Sequence, residues 1–273
     1  MEGVASQGGL TGSDPLGGLV VVLFETQDLV NIALVVRAMK NMGLSRLRLV
    51  RPVEFEPYRI EGIAHYTADL VAKVEVFHDL DEALADLSYV VGSTARRRSS
   101  RQQWYSPEDA AWAIVPRSRQ GPVALLFGRE DRGLSNEQLD RCHALVSIPV
   151  DPDHPSMNLA HSALIVFYEM RRVASEIADL GGPDLSSKKR QSTAPASVEE
   201  LEVFFATWER AMDRLGFFHG IDPLPKMRSF RSLFQRADMD RRELGLVQAT
   251  AFEIIHFAER EIARARERAD SES

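Results

Sequence analysis

The polar residues best placed for chemistry sit in two loops, each directly after a short apolar run. Pro122 to Phe127 is nearly all apolar, as a strand buried on both faces would be, and it stops at Gly128-Arg129-Glu130-Asp131-Arg132-Gly133. Leu145 to Val150 is a second such run. It stops at a loop, Asp151 to Met157, rich in Pro, Asp and Ser. Two strand ends carrying polar loops on the same edge of an open α/β sheet form a small-molecule site. Glu130 stands in the first loop, and its position alone is equally that of an exposed turn carboxylate. Asn158 follows the second loop and opens a helical pattern with Leu159, Ala163, Val166, Phe167 and Met170 on one stripe. A further pair lies near the start. Asn31 stands where a loop becomes a helix and reads as a cap for an orphan backbone N–H. Arg37, six residues on, falls on the polar side of an otherwise apolar helix and reads as solvated.

Other chemistries lack their residues. There is no Gly-x-Gly-x-x-Gly and no Walker loop, which speaks against dinucleotide enzymes and P-loop NTPases. The seven histidines are scattered and the single cysteine, Cys142, has no ligand spacing around it, so no metal site is expected and no intrachain disulfide can form.

Strands are predicted at Leu19–Phe24, Arg46–Val50, Val74–Phe77 and Tyr89–Gly92 besides the two above. Helices are predicted at Asn31–Met42, Leu80–Leu87, Pro107–Ile114 and from Asn158 onward, with one short helix between Pro52 and Ala72. Gly43 is placed to stop the first helix. Strands alternating with helices argue a doubly wound, mostly parallel sheet. Residues 1–18 are Gly-rich and aperiodic, and are expected to be a disordered tail. The sheet domain then runs 19–178. A Gly, Ser, Lys and Pro-rich linker covers 179–197, and an all-helical extension covers 198–273, with helices at Val198–Leu215, Lys226–Gln235 and Asp240–Arg268 and a fraying charged tail from Arg264.

Phe127-Gly-Arg-Glu130-Asp-Arg-Gly133-Leu, Ile148-Pro and Pro155-Ser156-Met-Asn158-Leu-Ala together resemble the SpoU (TrmH-like) branch of the SPOUT RNA 2′-O-methyltransferases. Asn31 through Arg37 to Gly43 matches that family's first motif, with Asp28-Leu29-Val30 where many members carry His-Pro-Gly. The segment Val90-Val-Gly-Ser93-Thr94-Ala-Arg96-Arg97-Arg98 is similar to the TrmJ-type subgroup, as is the C-terminal run from Leu215-Gly-Phe-Phe through Met227-Arg-Ser-Phe-Arg to Asp240-Arg-Arg-Glu-Leu. The resemblance implies an α/β fold whose C-terminal half is tied in a deep trefoil knot, a rarity that no periodicity argument could reach.

The same resemblance implies a function: transfer of a methyl group from S-adenosylmethionine (SAM) to a ribose 2′-OH of tRNA, on cytidine or uridine at position 32 of the anticodon loop, leaving S-adenosylhomocysteine. Another tRNA position, ribosomal RNA, or RNA binding without catalysis are the alternatives, and a flavodoxin-like nucleotide-binding domain is a reading that predicts no SAM binding. The catalytic set carried over is Asn31, Arg37, Glu130, Ser156 and Asn158, with Asn158 or Ser156 able to hydrogen-bond the ribose or its phosphate. The cofactor set is Ser93, Thr94, Leu126, Gly128, Glu130, Gly133, Ile148 and Met157. Arginine is effectively always protonated, so Arg37 is a poor base. It is suited to grip a phosphate bidentately and stabilise charge on the 2′-oxygen. The family works as homodimers with the active site shared across the interface.

A net charge of −7 on 273 residues argues against binding nucleic acid by bulk charge. RNA contacts are therefore assigned locally, to Arg96, Arg97, Arg98, Arg228 and Arg231. The apolar runs are too short to span a bilayer and the N-terminus lacks a secretory pattern, so the expected location is cytoplasmic.

Overall fold

The computed structural model describes residues 15–95, 102–179 and 194–271. Most of the expected tail and linker, and the cluster Arg96 to Arg98, lie outside the described residues. Seven strands form one sheet: β1 (Leu19–Phe24), β2 (Arg46–Val50), β3 (Glu75–Phe77), β4 (Tyr89–Ser93), β5 (Gln103–Tyr105), β6 (Val123–Phe127) and β7 (Ala144–Val146). Their order is β3-β2-β1-β6-β4-β7-β5, and every pairing is parallel. All strands therefore end on the same edge. The late strands β6 and β7 flank the earlier β4 on both sides, an order compatible with the threaded C-terminal half expected above.

The period of two sorts side chains into two cores. From β1, Leu19, Val21 and Leu23 face a layer made by α1 (Leu29–Met42), α5 (Pro107–Arg117) and α7 (Leu159–Asp179). Val20, Val22 and Phe24 face the other layer, with α4 (Leu80–Leu84) and α6 (Asn136–Leu139). That double burial is why β1 and β6 read as unbroken apolar runs. Two short helices, α2 (Pro57–Ile63) and α3 (Ala68–Val71), occupy the segment expected to hold one.

The extension consists of α8 (Val198–Arg214), α9 (Leu224–Ala237) and α10 (Arg241–Ser271) around an aromatic core that includes Phe204, Phe205, Trp208, Phe230 and Phe234. It is docked, not dangling. Val198 belongs to the same buried cluster as Leu134 and Leu139, and its N–H donates to Leu87 O at 2.8 Å. Arg117 bonds Asp238 at 2.6 Å and lies 4.3 Å over the Tyr89 ring. Removing the extension would open the second core.

Several boundaries differ from the sequence reading, for physical reasons. Asp28, not Asn31, caps α1, accepting from the Val30 N–H at 2.9 Å. The tail expected through Gly18 ends earlier, because Leu16 is buried in the first core. Pro195 bridges Asp240 and Ala196 is buried, so the last expected linker residues are packed. β7 stops at Val146, before Pro149, which has no N–H to give a ladder. β5 is a three-residue edge strand too short to show alternation. α10 continues helically as far as Ser271, into the stretch expected to fray from Arg264.

His143 is buried beside β4. It stacks on Tyr89 with ring centroids 4.8 Å apart, and its Nδ1 accepts the Val90 N–H at 3.1 Å. Burial pushes its pKa down from 6.5 to about 4. Between those values the unfolded chain binds the extra proton, so stability falls as pH drops from about 6.5 toward 4, by up to roughly 3 kcal/mol. His143→Asn keeps an acceptor for Val90 and should flatten that part of the pH dependence. Urea midpoints for parent and variant from pH 7.5 to 4.5 check this, and parallel curves would contradict it.

Candidate active site

A cleft of about 300 Å³ opens at the C-terminal ends of β4, β6 and β7. Its floor is the loop after β6. There Gly133 N–H donates to Arg129 O at 2.9 Å and Gly133 takes φ 66°, which closes a tight turn. A β-carbon at Gly128 would meet the Gly133 carbonyl carbon at 2.4 Å, so only glycine permits this closure. Apolar wall comes from Ile148, Met157, Leu134 and Leu159, and polar edges come from Ser93, Thr94, Glu130 and Ser156.

Glu130 ties three segments together. Its carboxylate accepts the Gln27 N–H at 3.0 Å and the Asp28 N–H at 3.4 Å from the β1–α1 turn, and the Asn31 side-chain amide at 2.9 Å. Asn158 completes the array. Its Oδ1 accepts the Ala160 N–H at 2.8 Å and the His161 N–H at 3.3 Å, so it caps α7. Its amide nitrogen must then face outward, and it donates to Asn31 Oδ1 at 2.8 Å. The cap thus fixes the orientation of both amides, which leaves the Asn31 NH₂ toward the carboxylate. Asn31 sits in the first turn of α1 with its side chain free for this task because Asp28 has taken over the capping.

Beside this array Arg129 bonds Asp131 at 2.9 Å and reaches Glu25 at 3.5 Å. The Arg129 guanidinium holds the Asp131 carboxyl down at about 2. Arg51 holds Glu25 from the end of β2 at 2.8 Å. The loop is therefore an interlocked set of charges rather than a loose turn.

Ser93, Thr94, Gly128, Glu130, Gly133, Ile148, Met157 and Ser156 line the cleft. Leu126 is not among the lining residues: it is fully buried in the second core with Val20, Val22 and Leu145. Asn31 and Asn158 stand behind the cleft, joined to it through Glu130. Arg37 is apart from it. Six residues along α1 place it about 9 Å farther on, where it is exposed and bonds the His65 carbonyl. Arg228 and Arg231, expected on RNA, are committed within the chain: Arg228 to Asp140 at 2.7 Å, Arg231 to Glu202. Both guanidinium groups thus help hold α9, against α6 and α8 respectively. Arg129, Asp131 and Ser162 also line the cleft and were not singled out. Ser162 lies one helical turn after Asn158, a spacing that could have found it.

Comparison with known proteins matches both parts of the chain. The SpoU rRNA Methylase family matches residues 18–168. The C-terminal domain of the tRNA methyltransferase TrmJ matches residues 199–263. The tRNA (cytidine/uridine-2′-O-)-methyltransferase TrmJ of Sodalis glossinidius is 34% identical over 241 residues, covering 88% of this chain and 92% of that protein. Its counterpart from Escherichia coli K12 is 34% identical over 85% of this chain and 93% of its own. Among solved structures, TrmJ from Z. mobilis ZM4 superposes with a TM-score of 0.71 at 28% identity, over 86% of this chain and 98% of that one.

Proposed function

Because the chain belongs to the SpoU rRNA methylase family and has tRNA (cytidine/uridine-2′-O-)-methyltransferases among its relatives, we propose that it is a SAM-dependent tRNA 2′-O-methyltransferase acting on cytidine or uridine, with position 32 of the anticodon loop as its target. The observation that carries this reading is the cleft itself: a glycine-closed loop at the strand ends, braced by Glu130, Asn31 and Asn158.

The donor set fits SAM. The half-buried Ile148 and Met157 suit an adenine or a thioether-like chain, while the backbone of the Gly128–Gly133 turn and the hydroxyls of Ser93 and Thr94 offer hydrogen bonds to its polar ends. Bound SAM supplies a methyl group on a sulfonium, open to attack from the side opposite sulfur. The chain's own residues do the rest. Glu130 holds the β1–α1 turn against the cofactor loop, so that α1 is positioned relative to the cleft. Arg37 grips the phosphate next to the target ribose and stabilises charge growing on the 2′-oxygen, while a phosphate oxygen takes the proton. Ser156, exposed at the cleft edge, is free to bond the ribose.

Arg37 does not line the cleft of its own chain, which suits a site shared between two copies. We infer a homodimer formed through α7. That helix leaves Leu164 and Tyr168 exposed one turn apart, on the side away from its buried stripe. Light scattering at micromolar concentration is expected to give twice 30.6 kDa, and a value of one chain would contradict it. The arginine cluster from Arg96 to Arg98 remains the best proposed RNA contact, adjoining the cleft residue Ala95.

Titration calorimetry in EDTA tests the function at its first step. SAM should bind, and S-adenosylhomocysteine should compete. No heat from folded protein at high SAM concentration would remove the reading.

A further inference from the structure

We propose that Tyr66 is a stacking platform for an unpaired nucleotide of the RNA substrate, presented by a strained turn whose carbonyl also holds Arg37. The inference rests on the function proposed above and adds a residue to it.

The first observation is backbone strain. Tyr66 has φ 63°, one of five non-glycine residues with positive φ among those described. Any side chain with a β-carbon is disfavoured there, and an aromatic one lacks the short polar group by which Asn or Asp offsets the strain. The turn nevertheless has its neighbours pinned on both sides. Before it, the Ala64 N–H donates to Ile60 O at 2.7 Å. After it, the buried Thr67 donates its hydroxyl to Ala64 O, and Thr67 O accepts from Leu70 N–H and Val71 N–H, each at 2.9 Å. Surroundings that impose such a conformation point to a use for it.

The second observation is exposure. The fold gains little from this tyrosine by burial, because it is 89% exposed. The third is position. The carbonyl of the preceding residue, His65, accepts the hydrogen bond from the Arg37 guanidinium. The strained turn thus holds the proposed phosphate-gripping arginine through His65 and displays a bare aromatic ring on the next residue. A cation for the phosphate and a ring for the base are the two groups an unpaired nucleotide needs from a protein, and stacking on tyrosine is a common way to hold such a base.

The test uses the full chain with Tyr66→Ala, Tyr66→Phe and Tyr66→Gly. Three quantities are read: KM for an unmodified tRNA transcript, the Kd for SAM by calorimetry, and the melting temperature. The alanine and glycine variants should raise KM for tRNA about tenfold, the scale of one lost base–aromatic stack. Phenylalanine should stay near the parent and SAM affinity should not move in any of them. Glycine should melt higher than the parent because it relieves the strain, so stability and RNA affinity change in opposite directions, which a merely structural role would not produce. A glycine variant with the parent's KM would overturn the proposal. So would a phenylalanine variant as impaired as alanine, or an alanine variant that changes the oligomeric state, since the ring would then serve the partner. A parent that transfers no methyl would overturn the function proposed above instead, and direct tRNA binding by the same variants would then decide Tyr66.

Discussion

Arg37→Ala is expected to lower kcat for methyl transfer by about a hundred- to a thousandfold, the usual consequence of removing a group that stabilises charge in the transition state, with SAM affinity intact. The separation follows from geometry. Arg37 lies on α1 away from the cleft lining, and its bond is to the His65 carbonyl, not to the loop that would hold the cofactor. Arg37→Lys should fail nearly as badly, since an ammonium is a point charge and cannot reproduce the planar fork. Single-turnover rates at saturating RNA and SAM, beside calorimetry with SAM alone, check both halves. Near-normal turnover by the alanine variant would return Arg37 to the status of a solvated surface residue.

Gly128→Ala is the second substitution with a large expected effect, and it should act on the other substrate. The added carbon would stand 2.4 Å from the Gly133 carbonyl carbon and 2.6 Å from its oxygen, both backbone atoms that cannot step aside without opening the turn. A displaced floor moves every donor in the loop, and losing two hydrogen bonds of about 1.4 kcal/mol each weakens binding about a hundredfold. SAM affinity should fall by roughly that factor. Gly133→Ala is the control. The backbone there, at φ 66°, suits glycine and disfavours any residue with a β-carbon, yet nothing lies within 4 Å of where that carbon would stand. Its penalty is only conformational, about 1–2 kcal/mol at most. Equal losses from the two variants would show that steric closure of the turn is not what shapes the cleft.

The sequence carries these features unevenly. β1 and β6 were legible because burial on both faces leaves a run with no polar interruption. α7 was legible because its stripe from Leu159 to Met170 keeps the helical period. Asp28 as the cap of α1 was hidden, because Asp, Asn and Ser can all cap and Asn31 stands three residues away. The role of Asn158 was half visible: its place at a helix start signals a cap, but its bond to Asn31 joins residues 127 positions apart. No local pattern encodes such a pairing. The same holds for Arg228 and Arg231. Arginines spaced along a helix look available for phosphate until the fold brings Asp140 and Glu202 to them. Tyr66 gave no signal at all, since a backbone φ is invisible in a residue type that normally avoids it.

Methyl transfer to a ribose of tRNA is tested most directly by mapping the product. The purified protein is incubated with an unmodified tRNA transcript and SAM carrying a labelled methyl, and the RNA is digested and read nucleotide by nucleotide. One SAM-dependent mark is expected, on the 2′-oxygen of a cytidine or uridine at position 32 of the anticodon loop. Label on a base, or no label from folded protein that binds both SAM and tRNA, would contradict it.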